Sequence, residues 1–164
     1  NDEIWPDFAK IPLYNIQVPS VIYKPIELNI EYVLDEHNTI EAFATDHTVP
    51  SCGYIIKNRD RAILMSADTH SLDNVIKSVK NNASIKSMII ECSFPSSMTK
   101  LAKISKHLTP ALLFEKLKPL SSLGLKLYIN HMKPSFSDII IDEIEQMKGK
   151  WDVVILNDGD DITF

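Results

Sequence analysis

Along the first half of the chain, apolar residues alternate with polar ones or gather in short runs; in the second half they recur at helical spacing. Residues 26–34 and 39–44 read as strands around the polar Asp35-Glu36-His37-Asn38, which predicts a hairpin with His37 as a turn residue. A second strand pair is predicted at 52–57 and 62–66, around the charged stretch 58–61, and it runs out into Ala67-Asp68-Thr69. Leu72, Val75, Ile76 and Val79 then fall on one face of a helix behind Ser71 as candidate cap, closed by Asn81-Asn82.

Strand and helix alternate from there. A strand is predicted at 87–91, a short helix around Leu101 and Ile104, and a longer helix capped by Thr109 with Pro110 at its first position and Leu112, Leu113, Leu117 and Leu120 on its apolar face. A strand at 125–130 follows, then a helix through Ile139, Ile140, Ile144 and Met147 ending near Gly149, and a last strand at 153–156 before the turn Asn157-Asp158-Gly159-Asp160. This order predicts an α/β fold, a sheet with helices on one face. No repeat or linker divides the chain, so residues 1–164 are expected to form one domain.

Composition narrows the function classes. A formal charge of −5 argues against a surface that binds nucleic acid by neutralising phosphates, which needs clustered Lys and Arg. No apolar run approaches the roughly 20 residues that span a bilayer, so no membrane association is expected. Cys52 and Cys92 are widely spaced in apolar segments and read as buried free thiols, not as a disulfide or a zinc knot. Unpaired thiols point to the cytoplasm; a removed upstream signal would make the compartment periplasmic or extracellular. The opening Asn1 and the Ile4-Trp5-Pro6-Asp7-Phe8 stretch behind it suggest a fragment or a processed form.

Candidate chemistry collects where strands end. His47, Asp68, Glu91 and His131 each close or follow a predicted strand, and ligands of open α/β sheets bind beyond the carboxyl ends of strands. Two His and one Asp make a zinc or hard-metal donor set. Strands also end in polar residues simply because they meet water there, so position alone leaves both readings open.

The wording of these segments adds a resemblance. Asp46-His47-Thr48-Val49-Pro50-Ser51-Cys52-Gly53-Tyr54, Ser66-Ala67-Asp68-Thr69, Ile90-Glu91-Cys92-Ser93-Phe94-Pro95, Lys106-His107-Leu108-Thr109-Pro110 and Asn130-His131-Met132-Lys133-Pro134 resemble, in this order, the later motifs of metallo-β-lactamase-fold phosphodiesterases. The His-Leu-Thr-Pro, His-Met-Lys-Pro and Glu-Cys-Ser-Phe-Pro words are most similar to class II 3′,5′-cyclic-nucleotide phosphodiesterases, as are the chain's opening and closing words. The resemblance implies an αββα sandwich, of which this chain would be the C-terminal portion. It implies His47, Asp68 and His131 as metal ligands, with Asp68 bridging two divalent ions, expected to be zinc with manganese or magnesium as alternatives. It gives His107 a contact to the scissile phosphate and Glu91 a supporting acid role. Ala67 stands where the family usually has Gly. His70 is read as a loop residue with no ligand role.

One family motif, His-x-His-x-Asp-His, occurs nowhere in the 164 residues. A two-metal centre needs more donors than His47, Asp68 and His131 provide. The expected activity is therefore hydrolysis of a cyclic nucleotide, cyclic AMP foremost, by a complete protein, with this chain inactive alone and pairing through the sheet face left open by the missing half. The rival expectations are a tRNA 3′-processing-type endonuclease on the same fold and a non-catalytic interaction module.

Overall fold

The computed structural model describes residues 21–164; the Ile4–Phe8 words of the resemblance lie outside the described residues. Seven strands form one sheet in chain order: β1 Glu31–Val33, β2 Asn38–Ala44, β3 Cys52–Asn58, β4 Arg61–Met65, β5 Ile85–Glu91, β6 Lys126–Asn130 and β7 Asp152–Ile155. Four α-helices, α1 Asp73–Asn81, α2 Thr99–Ser105, α3 Pro110–Leu117 and α4 Ser137–Met147, fall in the connections after β4, β5 and β6.

Connection length decides pairing. The short links from β1 to β4 allow only antiparallel neighbours, and those three pairings are antiparallel. The links carrying helices return the chain to the same edge, and β4, β5, β6 and β7 are parallel. All three crossovers step the same way across the sheet, so the right-handed rule puts their helices on one face.

The core shows that face. Phe43, Ile55, Leu64, Met88, Ile90, Leu127 and Ile129 alternate inward from successive strands and pack with Val75 and Val79 of α1, Leu113 and Leu117 of α3, and Ile140 and Ile144 of α4. No described helix covers the opposite face, where Ile63 and Tyr128 are buried and Tyr54, Ile56 and Ile89 half-buried. The α/β mixed sheet with helices on one face is as the sequence predicts.

Two local departures have physical causes. The strand expected over 26–34 shrinks to Glu31–Val33, because Asn29 takes a left-handed φ of 61° that breaks the alternation. Ser71 is not the formal cap of α1: the cap position is Leu72, and the Ser71 hydroxyl exchanges hydrogen bonds with Asp73, accepting from its N–H at 3.2 Å and donating to its carboxylate at 2.8 Å. Thr109 does cap α3, its Oγ1 accepting from Leu112 N–H at 3.4 Å ahead of Pro110. The 35–38 turn is held by Asp35 Oδ1, which accepts from the His37 and Asn38 amides, and His37 sits in it as expected.

Candidate metal centre

β2, β4, β5 and β6 run in one direction, so their carboxyl ends share an edge of the sheet. His47 follows β2, Asp68 follows β4, Glu91 ends β5 and His131 follows β6. His107 arrives separately, on the link between α2 and α3, which is drawn to this edge by Ser93 N–H and Phe94 N–H donating to the Leu108 carbonyl. All five residues singled out in the sequence therefore meet.

Asp68 lies between two imidazoles. Its Oδ1 is 3.3 Å from His131 Nε2 and its Oδ2 is 3.8 Å from His47 Nε2. Donor atoms of His47, Asp68 and His107 all lie within 4.8 Å of one another, so the tightest trio takes in His107 as well as two of the expected ligands. The His107 ring stands 5.0 Å from that of His47 and 5.4 Å from that of His131.

In two of these rings, His47 and His107, the second nitrogen is held from behind. His47 Nδ1 lies 3.3 Å from the Lys106 carbonyl, which can only accept, so Nδ1 carries a hydrogen and Nε2 is the nitrogen turned to Asp68. His107 Nδ1 sits 2.8 Å from Glu91 Oε1, which likewise leaves Nε2 free. Ring nitrogens pinned to a carbonyl or carboxylate are the usual backing of metal-binding histidines. Tetrahedral donors about 2.1 Å from a zinc stand roughly 3.4 Å apart, close to each Asp68–histidine spacing taken singly, Oδ1 to His131 and Oδ2 to His47. The residues present thus fit a divalent metal.

Behind the rings, Glu91 is 1% exposed and its carboxylate is surrounded by donors. Thr69 N–H donates to Oε1 at 2.9 Å, while Leu108 N–H at 3.3 Å and the Ser93 hydroxyl at 2.8 Å donate to Oε2. These bonds join the loops after β4 and β5 to the α2–α3 link. Exposure rises toward the front: His107 is buried and His47 largely so, whereas Asp68 and His131 are partly open to solvent.

Backbone conformation contributes too. Ala67, Lys106 and His131, each at or beside a site residue, have φ of 50°, 60° and 59°. The left-handed region disfavours any residue with a β-carbon by about 1–2 kcal/mol, which explains why glycine suits the position that Ala67 fills.

Several supporting residues escaped the sequence reading. His70, expected as a loop residue with no ligand role, stays out of the donor set, but its Nδ1 donates to the His107 carbonyl at 2.7 Å. Lys106 pairs with Asp46 at 2.9 Å, Asp46 N–H donates to Thr69 Oγ1 at 3.1 Å, and His70 N–H donates to the Asp46 carbonyl at 2.9 Å, tying the His47 loop to its neighbours. Ser93 contacts three site residues at once. The only sequence signal for it was its place in the Glu-Cys-Ser-Phe-Pro word.

No protein-family profile matches the chain, and no curated protein matches it. Solved structures do. The metallo-β-lactamase fold protein YhfI from Bacillus subtilis aligns over 80% of this chain and 51% of its own, at 18% identity and a TM-score of 0.64. Unliganded yeast PDE1 aligns over 80% of this chain and 47% of its own, at 22% identity and a TM-score of 0.65. Human tRNase Z, short form, aligns over 78% and 44%, at 20% identity and a TM-score of 0.56. The chain spans about half the length of these structures. By architecture, then, it carries part of the metallo-β-lactamase fold, a mixed sheet backed by helices with the candidate metal centre at its carboxyl edge.

Proposed function

We propose that this chain contributes His47, Asp68 and His131 as metal ligands, and His107 and Glu91 as supporting groups, to a hydrolase that opens 3′,5′-cyclic nucleotides, cyclic AMP foremost, to nucleoside 5′-monophosphates. The observation that carries the reading is Asp68 standing between His131 and His47, one carboxylate oxygen toward each. The ordered motif words supply the substrate class.

A divalent ion held there, zinc by donor chemistry with manganese or magnesium as alternatives, supplies Lewis acidity and a nucleophile at neutral pH. The chain's own residues do the rest. His47 turns Nε2 toward Asp68 because the Lys106 carbonyl holds its other nitrogen, and Asp68 sets one carboxylate oxygen toward each neighbouring imidazole. With Nδ1 held by Glu91, His107 has Nε2 left for the same space, where, once that nitrogen also carries a proton, it can hydrogen-bond the phosphoryl group or give the proton to the departing 3′ oxygen. Glu91 holds the other ring nitrogen and keeps His107 in that orientation. The partly open side at Asp68 and His131 is the side from which substrate would come.

Three ligands are too few for a two-metal centre, and His-x-His-x-Asp-His is absent from these residues, so we expect this chain to hold one added ion loosely, to purify without bound metal and to show no hydrolysis by itself. The test is the full-length product of its gene, assayed side by side on cyclic AMP and on a precursor tRNA with zinc or manganese. The expected result is nucleoside 5′-monophosphate from cyclic AMP, lost on His47→Ala, Asp68→Ala or His131→Ala. Cleavage of RNA alone would make it a tRNA-processing enzyme, a reading that the net charge of −5 disfavours. Hydrolysis of neither substrate by a metal-free protein would make it an interaction module.

A further inference from the structure

We propose that Ser93 is a positioning residue of this centre, its buried hydroxyl tying the Glu91–His107 pair to the backbone of His131 so that the two imidazoles keep a set spacing. Ser93 lies two residues past the end of β5 and is 0% exposed. Its Oγ is 2.8 Å from Glu91 Oε2, 3.2 Å from His107 Nδ1 and 3.0 Å from the His131 carbonyl. A hydroxyl has one proton to give and two lone pairs. It can accept from the His107 N–H that Glu91 also holds, and give its own proton to the carboxylate or to the carbonyl. No other side chain among the described residues hydrogen-bonds to all three of these groups.

The backbone of Ser93 reaches the same two segments. Its N–H donates to the Leu108 carbonyl at 3.1 Å, next to His107, and its carbonyl accepts from Lys133 N–H at 3.2 Å, two residues beyond His131. His131 needs such support, because a φ of 59° is disfavoured for a residue with a β-carbon and persists only where the surroundings hold it. Ser87 supplies the contrast. It is buried within β5, six residues earlier, yet its hydroxyl finds no partner among the described residues. Burial of a serine on β5 does not by itself create the connection; the convergence of three site groups on Ser93 does.

The consequence for metal binding rests on the metal-centre reading above, and the experiment separates the two. Histidine ring nitrogens of the metal-free chain are observed by long-range ¹H–¹⁵N correlation, and zinc is then titrated in. Ser93→Ala is expected to shift the ring signals of both His107 and His131 while leaving exposed His37 unchanged, and to weaken zinc binding by about 10–100-fold, the usual cost of losing an outer partner of a metal ligand. Ser93→Thr, which keeps the hydroxyl, is expected to restore both, and Ser87→Ala to change neither. Should Ser93→Ala fail to fold, Ser93→Cys keeps the volume with a weak donor and is expected to shift the same two rings. Unchanged His107 and His131 signals in a folded Ser93→Ala or Ser93→Cys variant would overturn the proposal. Shifted rings in a chain whose wild type takes no zinc would uphold the positioning role and remove the metal reading instead.

Discussion

Glu91 illustrates what burial demands of a single side chain. A carboxylate taken out of water is tolerated only when its lone pairs are used, and here two backbone amides, a hydroxyl and an imidazole use them. The next residue shows the opposite outcome. Cys92 has no cation beside it; burial, and then the charges of Glu91 and Glu143, push its thiol well above its ordinary value of 9.0. Such a group favours the fold fully below the unfolded value, where the thiol is neutral in both states. The contribution is lost as pH rises above about 9, because only the unfolded chain can release the proton freely. We therefore expect stability to fall from pH 9 upward, with a smaller slope in Cys92→Ala, as measured by urea denaturation across that range. In the native protein an aromatic disulfide reagent should label half-buried Cys52 and spare Cys92 until the chain unfolds. Burial of Cys92 was legible from its apolar neighbours. The seat of Glu91 was not, since its four donors come from residues scattered over the chain.

Elements were read best where a period was long and uninterrupted. β5, α3 and α4 lie close to where alternation, the Thr109-Pro110 start and the apolar stripe put them. The β1 expectation failed because one residue, Asn29, left the extended region, an event that hydropathy does not report. Gly53 carries a packing constraint equally invisible in the pattern. It pairs with Phe43 across β2 and β3, and a β-carbon there would run into the Phe43 ring and come within 2.6 Å of the Met65 carbonyl. The backbone of a central strand cannot retreat, so Gly53→Ala should destabilise the fold by about 1–3 kcal/mol. The check is the urea midpoint; an unchanged midpoint would show that the ring has room to turn aside.

At the scale of the molecule, the metal centre is a meeting of chain ends. Loops after β2, β4 and β6 would all be cross-linked by one ion, so binding should stabilise the whole fold and not one loop. Zinc at about 100 times its dissociation constant is expected to add about 2.7 kcal/mol, seen as a rise in melting temperature that EDTA reverses and His47→Ala largely removes. An unmoved melting temperature over a wide zinc range would count against these residues as ligands.

By itself the sequence determined what is local: the period of the longer strands and helices, the alternation that buries one face, the short links that make β1 to β4 antiparallel, and the helical links that make β4 to β7 parallel. It also marked His47, Asp68, Glu91 and His131 as strand-end residues, and the motif words brought in His107. Only the tertiary structure decided how they meet. Which ring nitrogen faces Asp68, how Glu91 is satisfied and why Ser93 matters depend on carbonyls and amides brought together by folding. Hydrophobic pattern encodes which way a side chain faces from its own backbone; hydrogen-bond partners distant in sequence are set by where the other backbones arrive.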